Sequence, residues 1–128
     1  MPGLVAVVDD NVDNMKLFRA VLARHGHVVV GYETGVGLAR VIAAAEARPD
    51  LVLLDIQLPD LDGFEVLAEL RAACDPSLRV VALTAYASAA DRARALAAGF
   101  DGYLTKPINI VRFPELVERA IAGETVTE

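Results

Sequence analysis

Cysteine, tryptophan and basic residues are scarce in this sequence. Cys74 is its only cysteine, and there is no tryptophan. An internal disulfide is therefore excluded, and because no Cys/His spacing resembles a zinc site, we expect Cys74 to be a small, half-buried side chain. Lysine and arginine number 12 against 18 aspartates and glutamates, which gives a formal net charge of −6. Without a basic field to attract phosphates, direct binding of DNA or RNA is not expected.

The sequence also lacks a long hydrophobic run, a linker and internal repeats. Its first apolar run, Leu4–Val8, ends at Asp9 and Asp10, unlike a secretory or membrane-spanning segment. We therefore predict a cytoplasmic protein with no membrane association. The 128 residues, 55% of them hydrophobic, suit one domain over residues 1–128, with its core at 4–122 and a short C-terminal tail at 123–128.

Five short runs rich in Val, Leu and Ile predict strands. They recur at intervals that leave room for a helix between neighbours, which is typical of βα units. The predicted strands are Leu4–Val8, Val28–Tyr32, Leu51–Asp55, Arg79–Thr84 and residues 101–104. The first, third and fourth runs are almost continuously apolar, as in parallel strands covered on both faces. The sequence therefore predicts an α/β fold with helices on both faces of a parallel sheet.

The segments between these runs carry helical periodicity. Helices should end near three glycines, Gly26, Gly99 and Gly123. Pro114 lacks the N–H that a helix interior needs, so we place it in the first turn of the last helix, at residues 113–122. His25 and His27 flank the first of these helix ends and are predicted to lie at the surface.

Polar side chains gather where the predicted strands end. Asp9 and Asp10 follow the first strand, Asp55 ends the third, Thr84 ends the fourth, and Lys106 follows the fifth. The carboxyl ends of parallel strands lie along one edge of a sheet, where open α/β sheets bind ligands, so we expect these side chains to converge. Any one of these aspartates alone is explained as a turn or helix-cap residue. Three carboxylates together would repel each other unless a cation or a lysine offsets their charge. A hard divalent ion such as Mg²⁺, which takes oxygen ligands, is the natural partner.

The sequence resembles the receiver domains of two-component response regulators, of which CheY is the familiar single-domain example. The matching segments are VVDDN (7–11), DLVLLDIQLP (50–59), DG (62–63), ALTA (82–85) and GYLTKP (102–107), within a resemblance that spans residues 4–122. NMKLF (14–18) and DIQLP (55–59) are also similar to DivK-type regulators. The resemblance implies a doubly wound (βα)5 domain, flavodoxin-like, with a five-stranded sheet of order 2-1-3-4-5.

The resemblance implies how a metal and a phosphoryl group are bound. Asp55 would be the phosphoacceptor, attacking the phosphorus of a phosphohistidine on a sensor histidine kinase or a histidine phosphotransfer protein. Asp10, Asp55 and the backbone carbonyl of Gln57 would ligate Mg²⁺, or alternatively Mn²⁺, while Asp9 would act through a water. The protein would then catalyse only its own phosphorylation and slow autodephosphorylation, and would not be an enzyme acting on a small substrate.

The resemblance also implies a switch. Lys106 would pair with the phosphoryl oxygens, and Thr84 would donate its hydroxyl to one of them. Tyr103 would turn inward in the switched state; the alternative is an ordinary half-buried tyrosine on an edge strand. The Lys106–Pro107 peptide bond would be cis, as is typical of the family. A downstream protein would bind the face formed by the fourth helix, fifth strand and fifth helix, on a monomer or weak homodimer.

Several loop residues have more limited roles. By resemblance, Gln57 and Tyr86 border the route of the attacking water and should tune the lifetime of the phosphate. We expect Gly63 to allow a backbone conformation that other residues resist. Asp60 and Asp62 are interpreted as turn and cap residues rather than metal ligands.

Three other functions are compatible with parts of this pattern. A flavodoxin-like electron carrier is disfavoured because residues 9–13 (DDNVD) are acidic, where a flavin phosphate needs hydroxyls and amides. A metal-dependent phosphohydrolase with an aspartate nucleophile is the closer alternative, yet Gln57 stands where it would usually carry a general acid. A scaffold with an inactive switch is disfavoured because the acidic, hydroxyl and lysine positions are all filled.

Overall fold

The computed structural model describes residues 3–58 and 61–128. Strands and helices alternate from β1 to α5, and a short strand follows. The elements are β1 (Leu4–Val8), α1 (Val12–Ala23), β2 (Val28–Tyr32), α2 (Leu38–Ala44), β3 (Leu51–Asp55), α3 (Gly63–Ala73), β4 (Arg79–Thr84), α4 (Ala89–Ala98), β5 (Gly102–Thr105), α5 (Phe113–Ile121) and β6 (Val126–Thr127). The strands form one parallel sheet of order β2-β1-β3-β4-β5-β6. The predicted flavodoxin-like α/β fold and the order of its first five strands are confirmed.

Both faces of the sheet are sealed by helices. Alternate residues of the central strands point to opposite sides, as the pleat requires. On one face Ala6, Val8, Val52 and Leu54 pack with residues of α2, α3 and α4. On the other, the strand residues pack with α1 and α5, where the rings of Phe18 and Phe113 lie 5.1 Å apart. This two-sided burial explains why β1, β3 and β4 are almost continuously apolar.

The helix boundaries follow local side-chain and backbone chemistry. The side chains of Asn11, Asp62 and Ser88 cap α1, α3 and α4 by accepting hydrogen bonds from backbone N–H groups. Gly99 adopts the left-handed conformation at the end of α4, with φ of 113°. Pro114 lies in the first turn of α5, as predicted. Within residues 3–58 and 61–128, no helix combines the length and apolar character needed to cross a membrane.

A sixth strand corrects the prediction of five strands and a C-terminal tail. Residues from the predicted tail form β6 beside β5, and Val126 is buried in the core. Backbone hydrogen bonds run from Thr105 to Glu128 and from Glu128 to Tyr103, at 2.6 and 3.0 Å. Gly102 allows this approach, because a Cβ there would lie 2.6 Å from the Val126 carbonyl oxygen. The outer edge of β5, which we expected in the partner-binding face, is therefore covered by β6.

Two local predictions were wrong. His27 was predicted at the surface but is buried, and its Nδ1 accepts a hydrogen bond of 3.0 Å from the Gly3 backbone. His25, in contrast, is exposed, as predicted. Gly63 does not have a positive φ. A glycine is required there for space, since a Cβ would lie 2.4 Å from the Cα of Ile56. The half-buried environment predicted for Cys74 is confirmed.

Candidate metal centre

The sheet brings the predicted acidic residues to one edge. Val8 is level with Leu54, so Asp9 and Asp10 emerge beside the end of β3, where Asp55 is the last residue. These backbone pairings place the three aspartates at the carboxyl edge of the sheet, where open α/β folds bind ligands. The expected convergence is therefore observed.

The three carboxylates are close enough to share one cation. Oxygens of Asp9, Asp10 and Asp55 all lie within 4.8 Å of one another. Asp9 and Asp55 are buried, at 1% and 5% exposure, while Asp10 is exposed. Among the described residues, no protein group donates a hydrogen bond to the Asp10 carboxylate. Asp9 accepts one of 2.9 Å from the Asn11 backbone, and Asp55 accepts one of 2.8 Å from the Gln57 backbone.

Lys106 connects two of these carboxylates. Its Nζ lies 2.8 Å from Asp55 Oδ2 and 3.0 Å from Asp9 Oδ2. Burial alone would lower the pKa of Lys106, but the hydrogen bonds to Asp55 and Asp9 outweigh it and hold the pKa above its ordinary value. The Lys106–Pro107 peptide bond is cis, as predicted. Lys106 therefore stays charged at neutral pH.

The chemistry of the cluster fits a divalent cation. Three carboxylates and one ammonium leave a formal charge of −2 (−3 + 1) on the group. Carboxylate oxygens are the donors that Mg²⁺ prefers, and Mg²⁺ commonly keeps several of its waters. Asp10 has a free carboxylate among the described residues, which suits it for direct ligation. Asp9 and Asp55 are already oriented by backbone N–H groups and by Lys106.

The hydroxyl of Thr84 lies between two loops. It donates a hydrogen bond of 3.3 Å to Gln57 Oε1 and accepts one of 3.1 Å from the Tyr86 backbone. Gln57 Oε1 also accepts a hydrogen bond of 2.8 Å from the Ala85 backbone. The Gln57 side chain thus joins the end of β4 to the loop after β3. Its position two residues after Asp55 was the signal in the sequence, but these contacts were not predicted.

Tyr103 points into the protein core. It is fully buried, and its hydroxyl donates a hydrogen bond of 2.6 Å to the Tyr86 carbonyl oxygen. Burial raises the pKa of the Tyr103 hydroxyl above its ordinary value. The alternative of a half-buried tyrosine on an edge strand is therefore wrong, since β6 lies outside β5. Tyr86 itself is 57% exposed beside the site.

Asp60 and Asp62 were interpreted as turn and cap residues, and only Asp62 lies among the described residues. Asp62 caps α3, as expected, by accepting a hydrogen bond of 2.8 Å from the Phe64 backbone. Pro59 and Asp60 lie outside the described residues.

Comparison with known proteins decides the family. The model of the response regulator receiver domain matches residues 5–118, which is most of the chain. This protein belongs to the response regulator receiver domain family. It is therefore a receiver domain of a two-component system, as its sequence motifs predicted.

Individual relatives agree with this assignment. The receiver is 41% identical over 121 residues to the polar-differentiation response regulator DivK of Brucella anthropi, covering 92% of this chain and 95% of DivK. It is thus a DivK-like receiver. The receiver domain of the sensor histidine kinase PA1611 from Pseudomonas aeruginosa is similar in structure, with a TM-score of 0.80, 30% identity and coverage of 95% and 99% of the two chains. That structure has a magnesium ion coordinated in the active site cleft.

A second solved structure confirms the fold. A CheY-like receiver domain protein from Methanospirillum hungatei has a TM-score of 0.81 and 28% identity, and the similarity covers 95% of each chain. The flavodoxin-like arrangement seen in the present receiver is therefore that of its family.

Proposed function

We propose that this receiver accepts a phosphoryl group on Asp55 from the phosphohistidine of a sensor histidine kinase or histidine phosphotransfer protein. One observation carries the proposal. Asp55 is buried among two further carboxylates, with Lys106 Nζ 2.8 Å from one of its oxygens and the Gln57 backbone N–H on the other. This arrangement holds an aspartate as an oriented anion beside a fixed positive charge, which suits a nucleophile in phosphoryl transfer.

The transfer step needs little covalent chemistry from the protein. A carboxylate oxygen of Asp55 forms a bond to phosphorus while the bond from phosphorus to the histidine nitrogen breaks, and the electron pair remains on that nitrogen. The Lys106 ammonium stabilises negative charge on the transferring group. Thr84 follows Leu83, the β4 residue that pairs with Asp55, and its hydroxyl can donate a hydrogen bond to the phosphoryl group. Together these groups orient the acceptor and offset charge.

A divalent cation would be held by the chain's own oxygens. Asp10, Asp55 and the Gln57 carbonyl are the proposed direct ligands, and Asp9 the proposed ligand through water. Mg²⁺, or Mn²⁺ in its place, would neutralise charge on the phosphoryl oxygens when bound. The relative with magnesium in its cleft supports this choice.

Signalling rather than turnover is the proposed outcome. Gln57, at the position where a phosphohydrolase needs a general acid, has no ionisable proton, and its Oε1 already accepts a hydrogen bond from Ala85. We infer that the receiver hydrolyses only its own aspartyl phosphate, slowly. The proposed surface for a downstream protein is the face formed by α4, β5 and α5, with β6 along the edge of β5, in a cytoplasmic protein.

Labelling with a small phosphodonor tests the proposal. Incubation with phosphoramidate and Mg²⁺ should add one phosphoryl group, measured by intact mass, and Asp55→Asn should reduce labelling to background. Asp13→Asn removes a nearby exposed carboxylate outside the cluster and should be labelled like the unmodified protein. Equal labelling of the Asp55→Asn variant would exclude the mechanism. Sustained, Asp55-dependent release of phosphate from a phosphate ester would instead indicate a phosphohydrolase.

A further inference from the structure

The carboxamide of Gln57 occupies a site where two hydrogen-bond donors converge. The Ala85 backbone N–H lies 2.8 Å from Gln57 Oε1, and the Thr84 hydroxyl lies 3.3 Å from the same oxygen. A backbone N–H can only donate, so the oxygen of the carboxamide must face it. The Thr84 hydroxyl accepts a hydrogen bond of 3.1 Å from the Tyr86 backbone and donates to Gln57.

This donor pair lies beside the proposed phosphoacceptor. Asp55 is level with Leu83 on β4, so Thr84 and Ala85 are the next two residues past that level at the carboxyl edge. The Asp55 carboxylate itself accepts a hydrogen bond at Oδ1 from the Gln57 backbone N–H. Two fixed donors aimed at one oxygen are the arrangement that binds an anionic oxygen in phosphoryl and acyl transfer sites.

We propose that Gln57 is a positioning residue whose side-chain oxygen takes the place of a phosphoryl oxygen in the resting receiver. This inference rests on the proposed function. A phosphoryl group on Asp55 would compete with the carboxamide for the Thr84 hydroxyl and the Ala85 N–H, and it would displace the neutral oxygen because a charged acceptor forms the stronger hydrogen bond. Gln57 thereby occupies these two donors until phosphorylation releases them.

The contact between Gln57 and Ala85 lies next to the residue that binds the buried Tyr103. Ala85 is followed by Tyr86, whose carbonyl oxygen accepts the hydrogen bond of 2.6 Å from Tyr103. Gln57 therefore restrains Ala85, the first residue of the loop after β4. The second residue, Tyr86, accepts the hydrogen bond from Tyr103. Release of Gln57 changes the restraint on that loop, which connects β4 to α4.

Two substitutions of similar shape test this role. Gln57→Met keeps the length of the side chain but removes the acceptor, whereas Gln57→Glu keeps an acceptor oxygen and adds negative charge. The first readout needs no phosphoryl group. Hydrogen exchange at the Ala85 amide, measured by NMR, should be about tenfold faster in Gln57→Met, which loses a hydrogen bond, and should stay slow in Gln57→Glu.

The second readout is the binding of beryllofluoride with Mg²⁺, which imitates the phosphoryl group and is not hydrolysed. Any effect of Gln57 on the attacking water therefore drops out. Gln57→Met should bind about fivefold more tightly than the unmodified protein, because no side-chain acceptor has to be displaced, and Gln57→Glu should bind more weakly.

The possible failures can be told apart. Unchanged Ala85 exchange or unchanged beryllofluoride affinity in Gln57→Met would overturn the positioning role, provided that the unmodified protein binds beryllofluoride and Asp55→Asn does not. If instead the unmodified protein and Asp55→Asn behave alike towards beryllofluoride, the proposed function itself is wrong and this inference is overturned with it.

Discussion

Lys106 shares its ammonium between two buried carboxylates, and this makes it a competitor of the proposed cation. The Nζ atom is within 3.0 Å of both Asp9 and Asp55. A positive charge at this distance stabilises the carboxylates without metal and repels a divalent cation placed among them. The same residue that would assist phosphoryl transfer would therefore weaken the binding of the proposed cation.

Replacing Lys106 should separate these two effects. Lys106→Met should bind Mg²⁺ roughly tenfold more tightly at low salt, because the repulsion is removed, while labelling by phosphoramidate falls. Isothermal titration calorimetry measures the first effect and intact mass the second. Arg40→Met removes the same charge from the exposed face of α2 and should leave both unchanged. Weaker Mg²⁺ binding by Lys106→Met would show that the ammonium does not oppose the metal.

These residues could be located from the sequence because strand ends are a property of topology. If the apolar runs that end near Asp10 and Asp55 are parallel strands, the aspartates at their carboxyl ends must lie at the same edge of the sheet. The contacts of Gln57 could not be predicted from the sequence, since they depend on the rotamer of a flexible side chain and on the path of the loop after β4. The burial of His27 was missed for a similar reason. Its partner, the backbone of Gly3, lies 24 positions away in the sequence.

Asp101 joins β4, β5 and α3 at the edge of the sheet opposite the acidic cluster. Its Oδ2 accepts hydrogen bonds from Arg71 at 2.7 Å and from the Val80 backbone at 2.9 Å, and its Oδ1 accepts from Arg79 at 3.3 Å. The Asp101 side chain is 24% exposed, so these bonds are only partly screened by water. The sequence placed this residue at the start of a strand but carried no sign of the network.

Asp101→Asn should therefore destabilise the fold. The carboxamide lacks the charge that strengthens bonds to both arginines, and we expect the free energy of unfolding to fall by about 2 kcal/mol. Urea unfolding followed by circular dichroism measures this loss. Arg48→Met breaks an exposed ion pair with Asp75 and should cost less than about 0.5 kcal/mol. A similar small cost for Asp101→Asn would mean that the network contributes little.

Gly102→Ala should displace β6 without disturbing the acidic cluster. The added Cβ would lie 2.6 Å from the Val126 carbonyl oxygen, so the short strand must move. Amide hydrogen exchange at Thr105 and Glu128, which pair β5 with residues 126–128, should become faster. Thr127→Ala alters an exposed side chain of the same strand and should leave both amides protected. Retained protection in Gly102→Ala would show that the strand tolerates the added atom.

The layered fold was the most predictable property of the molecule. Continuous apolar runs in β1, β3 and β4 can only be buried by helices on both faces. The two residues of β6, by contrast, are too few to show a periodicity. Their position depends on the space beside Gly102. That space is defined only by the arrangement of the first five strands.

The stability of the whole molecule should depend on Mg²⁺. A ligand that binds only the folded state adds about 2.7 kcal/mol at a concentration of 100 times its Kd. Raising Mg²⁺ at constant ionic strength should therefore raise the midpoint of urea unfolding. Asp10→Asn should be at least as stable as the unmodified protein without metal, because it removes one of three mutually repelling carboxylates, and should respond far less to Mg²⁺. An equal response would place the cation elsewhere.

The position of β6 has a consequence for the diversity of receivers. Residues 126–128 lie beside the strand that leads to Lys106, although they are more than 70 positions from Asp55 in the sequence. On the partner-binding face proposed above, a change of residues in this short segment would alter the edge beside β5 and leave the acidic cluster unchanged. Partner choice would then diverge through a few C-terminal residues while the chemistry of the site stays constant.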